Sequence, residues 1–485
     1  MKASSHSRRI AALPRRPLAV ALAGVCAVSA HLAGAAVLPA GFEAPPYAAH
    51  TASVPPPPPL RSPNVLPVTN CNDDGEGSLR VAAESAADGD TVDLTQLVCS
   101  RISLTTGTIF IGSRDVTIVG PGRDRLAIDA SQTPAGTFGR VFDHLGGGWL
   151  GIEGVSVTGG RKYAADQTVT GGCVYSNENV MVRNAAIHDC NAISGGGDSV
   201  LGGGVFAQGF VSLDHAIIRN NVTLAYGSGY SSGGGVYALG GIRAAYSLIA
   251  DNMAASLGAT PTFGGGIFAR GYSAILESAV VRNYAHRAGG LALAAVDDNL
   301  SFVFQSTISG NSADVIGGMY SREALYLYNS TIARNTARHT TLNGNVMGVG
   351  LQWGGLDDLH MVSTILADNT SEEASAFDLG GETVLPGGIV FDGSHNIIAS
   401  TNQAPPPDTI WGPAALGPLT DNGGPTPTHA VGAGSAAVDS GAMPNLGAFT
   451  FDQRGARFPR LAGAAVDVGA FESDPDRIFT NGFDF

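Results

Sequence analysis

Gly203-Gly204-Val205-Phe206, followed after a short alternating segment by Ala216-Ile217-Ile218-Arg219-Asn220-Asn221-Val222-Thr223, is the stretch that decides the fold. Both parts recur along the chain. The second has the form [AST]-x-[IVL]-x-x-N-x-[AST]. Its sixth position falls at Cys190, Asn221, Asn252, Asn283, Asn311, Asn335 and Asn369, at intervals of 31, 31, 31, 28, 24 and 34 residues. The first, a glycine pair before an apolar residue, keeps step at Val174, Val205, Val236, Ile267, Leu291, Met319 and Leu351. Self-similarity at this period marks stacked supersecondary units, none of which can bury its apolar face alone.

Each repeat holds a Gly-Gly-x-aliphatic-aromatic strand, an alternating strand such as Val211-Ser212-Leu213-Asp214, and an aliphatic pair such as Ile217-Ile218. Alternation with a period of two and β-branched enrichment read as strand. The turns between them are too brief for crossover helices. Three short strands per coil, rising one strand spacing per turn, predict an all-β chain folded as a right-handed parallel β-helix. Stacked coils set each position about 4.8 Å above its counterpart. Asn221, Asn252, Asn283, Asn311, Asn335 and Asn369 are therefore expected to form an inward ladder, each amide bonding backbone and the next amide. The same N-x-[AST] pattern also reads as turn chemistry at a loop start.

The ends differ from this body. Residues 1–35 carry Lys2, Arg8, Arg9, Arg15 and Arg16 before an apolar run, with Ala33-Gly34-Ala35 as a cleavage site, which predicts an export signal. An uncleaved anchor is the alternative. Removing those five cations takes the formal charge from -14 to -19 (-14 - 5). Such an acidic chain disfavours nucleic acid and anionic lipid as partners. No later apolar run reaches the roughly 20 residues of a bilayer span. Cys71, Cys99, Cys173 and Cys190 then remain, and an even count in an exported chain predicts disulfides, paired by proximity as Cys71–Cys99 and Cys173–Cys190. A four-cysteine zinc site is the rival, without C-x-x-C spacing to support it.

Residues 36–64 form a Pro-rich linker, 65–400 the β-helix, 401–472 a closing module with Asp-Gly-rich turns, and 473–485 a tail. Between octet and glycine pair, three repeats carry nine residues each, 193–201, 224–232 and 255–263, where the next two carry two. These loops are expected to stack on one edge, as a binding face or as solvated spacers.

The Gly-Gly and [IVF]-x-x-N pairing resembles the repeats of chlamydial polymorphic outer-membrane proteins and related bacterial β-helix proteins. Thr69-Asn70-Cys71-Asn72-Asp73 with Gly77-Ser78-Leu79-Arg80 resembles the CSLREA-type start of secreted β-helix proteins, although Val81 replaces the usual acidic residue. Leu416-Gly417-Pro418-Leu419 and Asp421 through His429, with Ala437-Val438-Asp439, Asp452-Gln453-Arg454-Gly455 and Asp467 through Glu472, resemble the choice-of-anchor Q domain. Ile478 through Phe483 resembles a tail found on exported proteins of xanthomonad-type bacteria. These resemblances imply a secreted or surface-associated solenoid of the pectate-lyase-like type and carry no assigned reaction. The chlamydial proteins end in a membrane barrel, for which the roughly 85 residues after the solenoid are too few.

Right-handed β-helices often host polysaccharide lyases and hydrolases, yet fold alone assigns no reaction. The G-H-G and R-x-K elements of pectin-type hydrolases do not occur, and the Asp pairs Asp73-Asp74, Asp297-Asp298 and Asp357-Asp358 have none of the other members nearby. The nearest approach to a site is a column at octet position five, Asp189, Asn220, Asp251 and Arg282, flanked by His188 and Arg219. Asp189 and Asp251 would lie two coils, about 9.6 Å, apart, near the roughly 6.5–9.5 Å of inverting glycosidases. The column also reads as a solvated charged turn. Asp214-His215 suggests an acid–base pair, but neighbours on a strand face opposite ways. Trp149, Trp353 and Trp411 read as sugar platforms or as packing anchors. Asn70 through Gly75 reads as a calcium loop or as turn chemistry.

The resulting expectation is a non-enzymatic, exported surface or extracellular protein, monomeric, contacting glycan or a cell-surface ligand through its stacked loops. It needs no metal or cofactor. A polysaccharide lyase or glycoside hydrolase acting along one face is the alternative, and a structural spacer is a third reading.

Overall fold

The computed structural model describes residues 64–474, apart from 134–138, 259, 295–298, 343–344, 355–357, 374–375, 382–389, 433 and 444–449. The leader, nearly all of the Pro-rich linker and the terminal tail beyond residue 474 lie outside the described residues, as do Asp297, Asp298 and Asp357. The chain is an all-β parallel solenoid. Its coils feed a 12-stranded, an 11-stranded, a 10-stranded and an 8-stranded sheet. Pairing between neighbouring coils is parallel and in register, as in Val205↔Val236, Val211↔Ile242, Ile218↔Ile249 and Val222↔Met253. No helix among the described residues is long and apolar enough to cross a membrane.

The periodicity predicts three strands per coil, and the structure has a fourth. Asn191–Ser194, Val222–Ala225 and Met253–Ser256 begin directly after the octet's sixth residue and build the 8-stranded sheet. The expected loops are correspondingly not loops throughout. Val200–Leu201 pairs with Val169–Thr170 on one side and Ser231–Ser232 on the other in a further three-stranded sheet. Insertions of equal length in consecutive coils allow their backbone N–H and C=O groups to pair across coils.

Inward residues on three faces supply the core: Val205, Val211, Leu213 and Ile218 are all fully buried. Where the 11-stranded sheet gives way to the 8-stranded one, the buried asparagines bond in series. The backbone N and Nδ2 of Asn221 both donate to Oδ1 of Asn252, at 3.1 and 2.9 Å, and Nδ2 also donates to the Ile187 carbonyl at 3.1 Å. The pattern continues from Asn252 through Asn283, Asn311 and Asn335 to Asn369. Each interior amide thus makes two donations and accepts two, with no capacity left over. The glycine pairs keep step with the asparagines for a steric reason. A Cβ on Gly235 would lie 2.7 Å from the Gly266 carbonyl oxygen and 3.0 Å from the Asn252 amide.

Cys173 stands where later coils have that glycine, and Cys190 where they have the asparagine. The two are joined as a disulfide, so the first rung is covalent. A second disulfide joins Cys71 to Cys99 at the N-terminal end. There, Leu79–Ser85 forms the one described α-helix, with the Ser78 hydroxyl accepting from the Val81 N–H. The helix turns Leu79 and Ala83 into the first coil's core.

The C-terminal segment does two things. Thr401 and Ile410 bridge in parallel to Leu379 and Ile397, laying chain along the edge of the last coil. From Ala414 it runs back along the outside of the 11-stranded sheet, whose outward residues Ala279, Val281, Thr307, Thr331 and Ile365 are consequently buried. Thr307 Oγ1 donates to Gln453 Oε1 at 2.6 Å, and His429 Nε2 sits 2.8 Å from Ser309 Oγ. The module therefore flanks several coils as well as meeting the last one.

Candidate functional site

The outward face of the 10-stranded sheet carries one column of side chains in strict register: Tyr175, Phe206, Tyr237, Phe268, Ala292, Tyr320 and Gln352. Alternation places them outside because their strand neighbours, such as Val205 and Ala207, point into the core. The first four rings stack nearly parallel, with centroids 5.5, 5.6 and 4.8 Å apart. At Ala292 the column has a methyl group where a ring would continue it. A groove of about 990 Å³ lies against this position, lined by Phe268, Ala292 and Tyr320 among others, with Ala292 itself fully buried at its floor. Tyr230, Ser232 and Phe263, from the insertion edge, form part of its wall, and Asn345–Val346 and Met347 form another part.

Three arginines face this groove. Arg270, Ala294 and Arg322 follow Ala269, Leu293 and Ser321, which are register partners, so the two guanidinium groups belong to coils two apart, about 9.6 Å by strand spacing. Arg270 and Arg322 are exposed, and neither is in an ion pair with a described residue. Arg287 lies over the Phe263 ring at 5.5 Å. Burial pushes the Tyr237 phenol up to about 12, so it remains a neutral hydrogen-bonding group. In a chain of formal charge -14, a cluster of arginines beside aromatic rings is a local reversal of sign. Guanidinium forks match carboxylate or sulfate oxygens, and ring edges and faces match the C–H surface of a sugar.

The sequence-predicted residues are distributed elsewhere. Asp189, Asn220, Asp251 and Arg282 do form a column, at a turn where all four backbones are left-handed (φ 54 to 58°). Its two carboxylates are not a pair across a substrate. Asp251 is held by Arg282 at 2.8 and 2.9 Å, and Asp189 by His188 at 2.6 Å. Asp214 and His215 do meet, at 2.8 Å, against the strand-alternation argument, because His215 has left the strand at φ 49°. Trp353 is fully buried in the core, Trp149 packs edge-on to Phe210, and Trp411 is exposed, so no shared platform exists among them.

In the Asn70–Gly75 loop, Asp73 accepts from the N–H groups and hydroxyls of Thr105 and Thr106 and pairs with Arg80 at 2.7 Å. Although burial opposes it, the Arg80 bond followed by the threonine bonds holds the Asp73 carboxyl down at about 2. Its oxygens are spent on tying the first coil. Among the described residues no group of three His, Cys, Asp or Glu side chains is arranged to hold a metal.

In the C-terminal segment Asp452, Gln453, Asp467 and Glu472 are buried, whereas Asp421 and Asp439 are exposed. Arg454 lies between the Phe458 and Phe471 rings, at 3.9 and 3.7 Å, and pairs with Asp452 at 2.6 Å. Burial pushes the Glu472 carboxyl up to about 7, while Ala462 and Asp467 donate backbone N–H groups to it. The sequence did carry a signal for the groove. An aromatic residue follows the glycine-pair strand at Tyr175, Phe206, Tyr237, Phe268 and Tyr320, and Ala292 interrupts it.

No family model matches the chain, and no curated protein matches it. Among solved structures it is similar to the crystal structure of pectate lyase Pel9A, at 11% identity and a TM-score of 0.42, over 85% of this chain and 97% of that one. A likeness of that degree carries no argument about activity.

Proposed function

We propose that the chain is an exported, extracellular or surface protein, a right-handed solenoid, that binds an anionic glycan in the groove over Ala292. The single observation behind this reading is the placement of Arg270 and Arg322 along one side of an aromatic column, on the coils directly before and after its interruption at Ala292, in an otherwise acidic chain. The described lining is made of rings, aliphatic groups, amides and guanidiniums, which are groups that hold a sugar. The insertion edge contributes to the groove wall, so the stacked insertions and the groove belong to one binding face. Contact without turnover is the leading role; lyase or hydrolase action along this face is the alternative.

The test is retention of the protein on immobilised uronate-containing and neutral polysaccharides, with chain length followed in parallel. Selective retention on the anionic polymer, lost with Arg270→Ala and Arg322→Ala together, supports the reading. Equal retention on neutral polymer, or binding indifferent to both arginines, removes it. Shortening of the polymer would replace the binding role by an enzymatic one.

A further inference from the structure

A second constellation lies on a different face, upstream of the C-terminal module, on the outward side of the 11-stranded sheet. Ser156 and Thr158 alternate outward around the core residue Val157, and His188 is the register partner of Thr158 one coil on. The His188 ring leans back over the lower coil. Its Nε2 lies 2.7 Å from Ser156 Oγ, and its Nδ1 lies 2.6 Å from Asp189 Oδ2 and 3.3 Å from Thr158 Oγ1. Sequence neighbours can make this contact because Asp189 is left-handed, with φ 56°, and turns its carboxylate back toward the ring.

The proton positions follow from the partners. An ionised carboxylate only accepts, so Nδ1 carries the hydrogen toward Asp189. In the neutral ring Nε2 is then the acceptor, and Ser156 donates to it. This is the order carboxylate–imidazole–hydroxyl that activates a serine nucleophile, recognised by geometry whatever the fold.

The surroundings suit a small polar substrate. His188, Asp189, Thr158 and Ala127 line a cleft of about 660 Å³, together with Arg101 and Arg161. Ser156 is 6% exposed and is not itself part of the cleft lining; its column neighbours on the two adjacent coils are Ala127, which does line the cleft, and Ala186, so no large side chain stands over the hydroxyl within its column. Arg101 is tied to Asp129. Arg161 is exposed at the cleft and has no ion pair among the described residues, which leaves a cation in the cleft for an anionic group of a substrate.

We infer that Ser156, His188 and Asp189 form a hydrolytic triad acting on short-chain O-acyl esters. Ser156 Oγ bonds to the acyl carbon as its proton passes to His188 Nε2. The acyl C–O bond breaks and the leaving alcohol takes that proton. Water, deprotonated by His188, then attacks the acyl-serine, releasing the carboxylic acid and restoring the hydroxyl. No oxidant, reductant or metal enters the balance. The inference is independent of the groove over Ala292.

The full chain is treated with a fluorophosphonate probe and the adduct mapped by peptide mass spectrometry, while p-nitrophenyl acetate hydrolysis is measured for wild type, Ser156→Ala and Asp189→Asn. The expected result is an adduct on Ser156 and a loss of rate of about a hundredfold or more in both variants. Asp189 has a 54% exposed side chain, so Asp189→Asn keeps the test alive should Ser156→Ala fail to fold. An unlabelled Ser156 in folded wild-type protein overturns the triad. Hydrolysis by wild type no faster than by a folded Ser156→Ala or Asp189→Asn variant does the same, because a surface histidine acting alone survives both changes.

Discussion

Asp378 Oδ1 accepts two hydrogen bonds from Asn369, 3.0 Å from its backbone N and 2.8 Å from Nδ2. Every earlier rung of the series offers an amide oxygen to the rung before it, and its own Nδ2 then needs the next oxygen. A carboxylate ends the demand, since it accepts without donating. Ser400 supports the second oxygen, with its hydroxyl 2.7 Å from Oδ2. Burial raises the carboxyl's pKa, against the lowering effect of the Ser400 and Asn369 bonds.

Asp378→Ala leaves the buried backbone N–H of Asn369 without its acceptor and takes one of three acceptors from Nδ2, which keeps the Ile332 and Ala367 carbonyls. With roughly 1–3 kcal/mol for a buried donor left unpaired, the expected loss is about 1–3 kcal/mol. Urea unfolding of wild type and variant measures it, and an unchanged midpoint would show that water or a shifted neighbour satisfies that donor.

Gly235→Ala places a methyl group between the Gly266 carbonyl and the Asn252 amide. Overpacking of a fixed stack predicts a loss of about 1–3 kcal/mol. Gly112→Ala, where no atom lies within 4 Å of the new Cβ, serves as control and is expected to change the thermal midpoint little.

Glu277 gives a pH dependence. Burial pushes its carboxyl up from 4.5 to about 7, against the smaller lowering effects of Gln305 and Arg243. Between those values the folded chain keeps the proton that the unfolded chain has released, so stability falls as pH rises from about 4.5 to about 7. The full shift corresponds to at most about 3 kcal/mol. Glu277→Gln is expected to unfold later than wild type at pH 8, by about 1–3 kcal/mol, and to differ little at pH 4.5. The protonated acid can also donate to Gln305 Oε1, a buried acceptor otherwise without a partner. Thermal scans at both pH values decide; a constant difference at the two pH values assigns the effect to packing instead.

Ala292→Phe restores the missing ring between Phe268 and Tyr320. Because Ala292 is fully buried beside Ile316, the larger side chain is expected to cost about 1–3 kcal/mol of stability, and the folded variant to bind anionic polysaccharide at least about tenfold more weakly. Titration calorimetry checks the second part. Full affinity in a folded variant would place the ligand elsewhere.

The coil and its register were legible because the spacing of Asn221, Asn252 and Asn283 is set by a covalent count between stacked residues. The partnership of Gly235 with Asn252 was visible only as two motifs in step, since a steric contact leaves no mark beyond small size. The fourth strand escaped because Val222–Ala225 is short and follows a turn residue. Asp378 escaped for another reason: a single carboxylate terminating a series has no periodicity. The groove depends on Ala292, where the informative event is an interruption. The pairing of Asp189 with His188 depends on a left-handed backbone at Asp189, which residue type alone does not announce.

A disulfide at the first rung and a carboxylate at the last give this chain two fixed terminations around interchangeable units. Residues 191–221 form one complete unit, and their removal would set Cys190 directly before Val222, in the same local frame as Asn221. Such a chain can change its reach by gaining or losing whole units through recombination, with no new solution required at either end. Size becomes an inherited count rather than a property of any one residue.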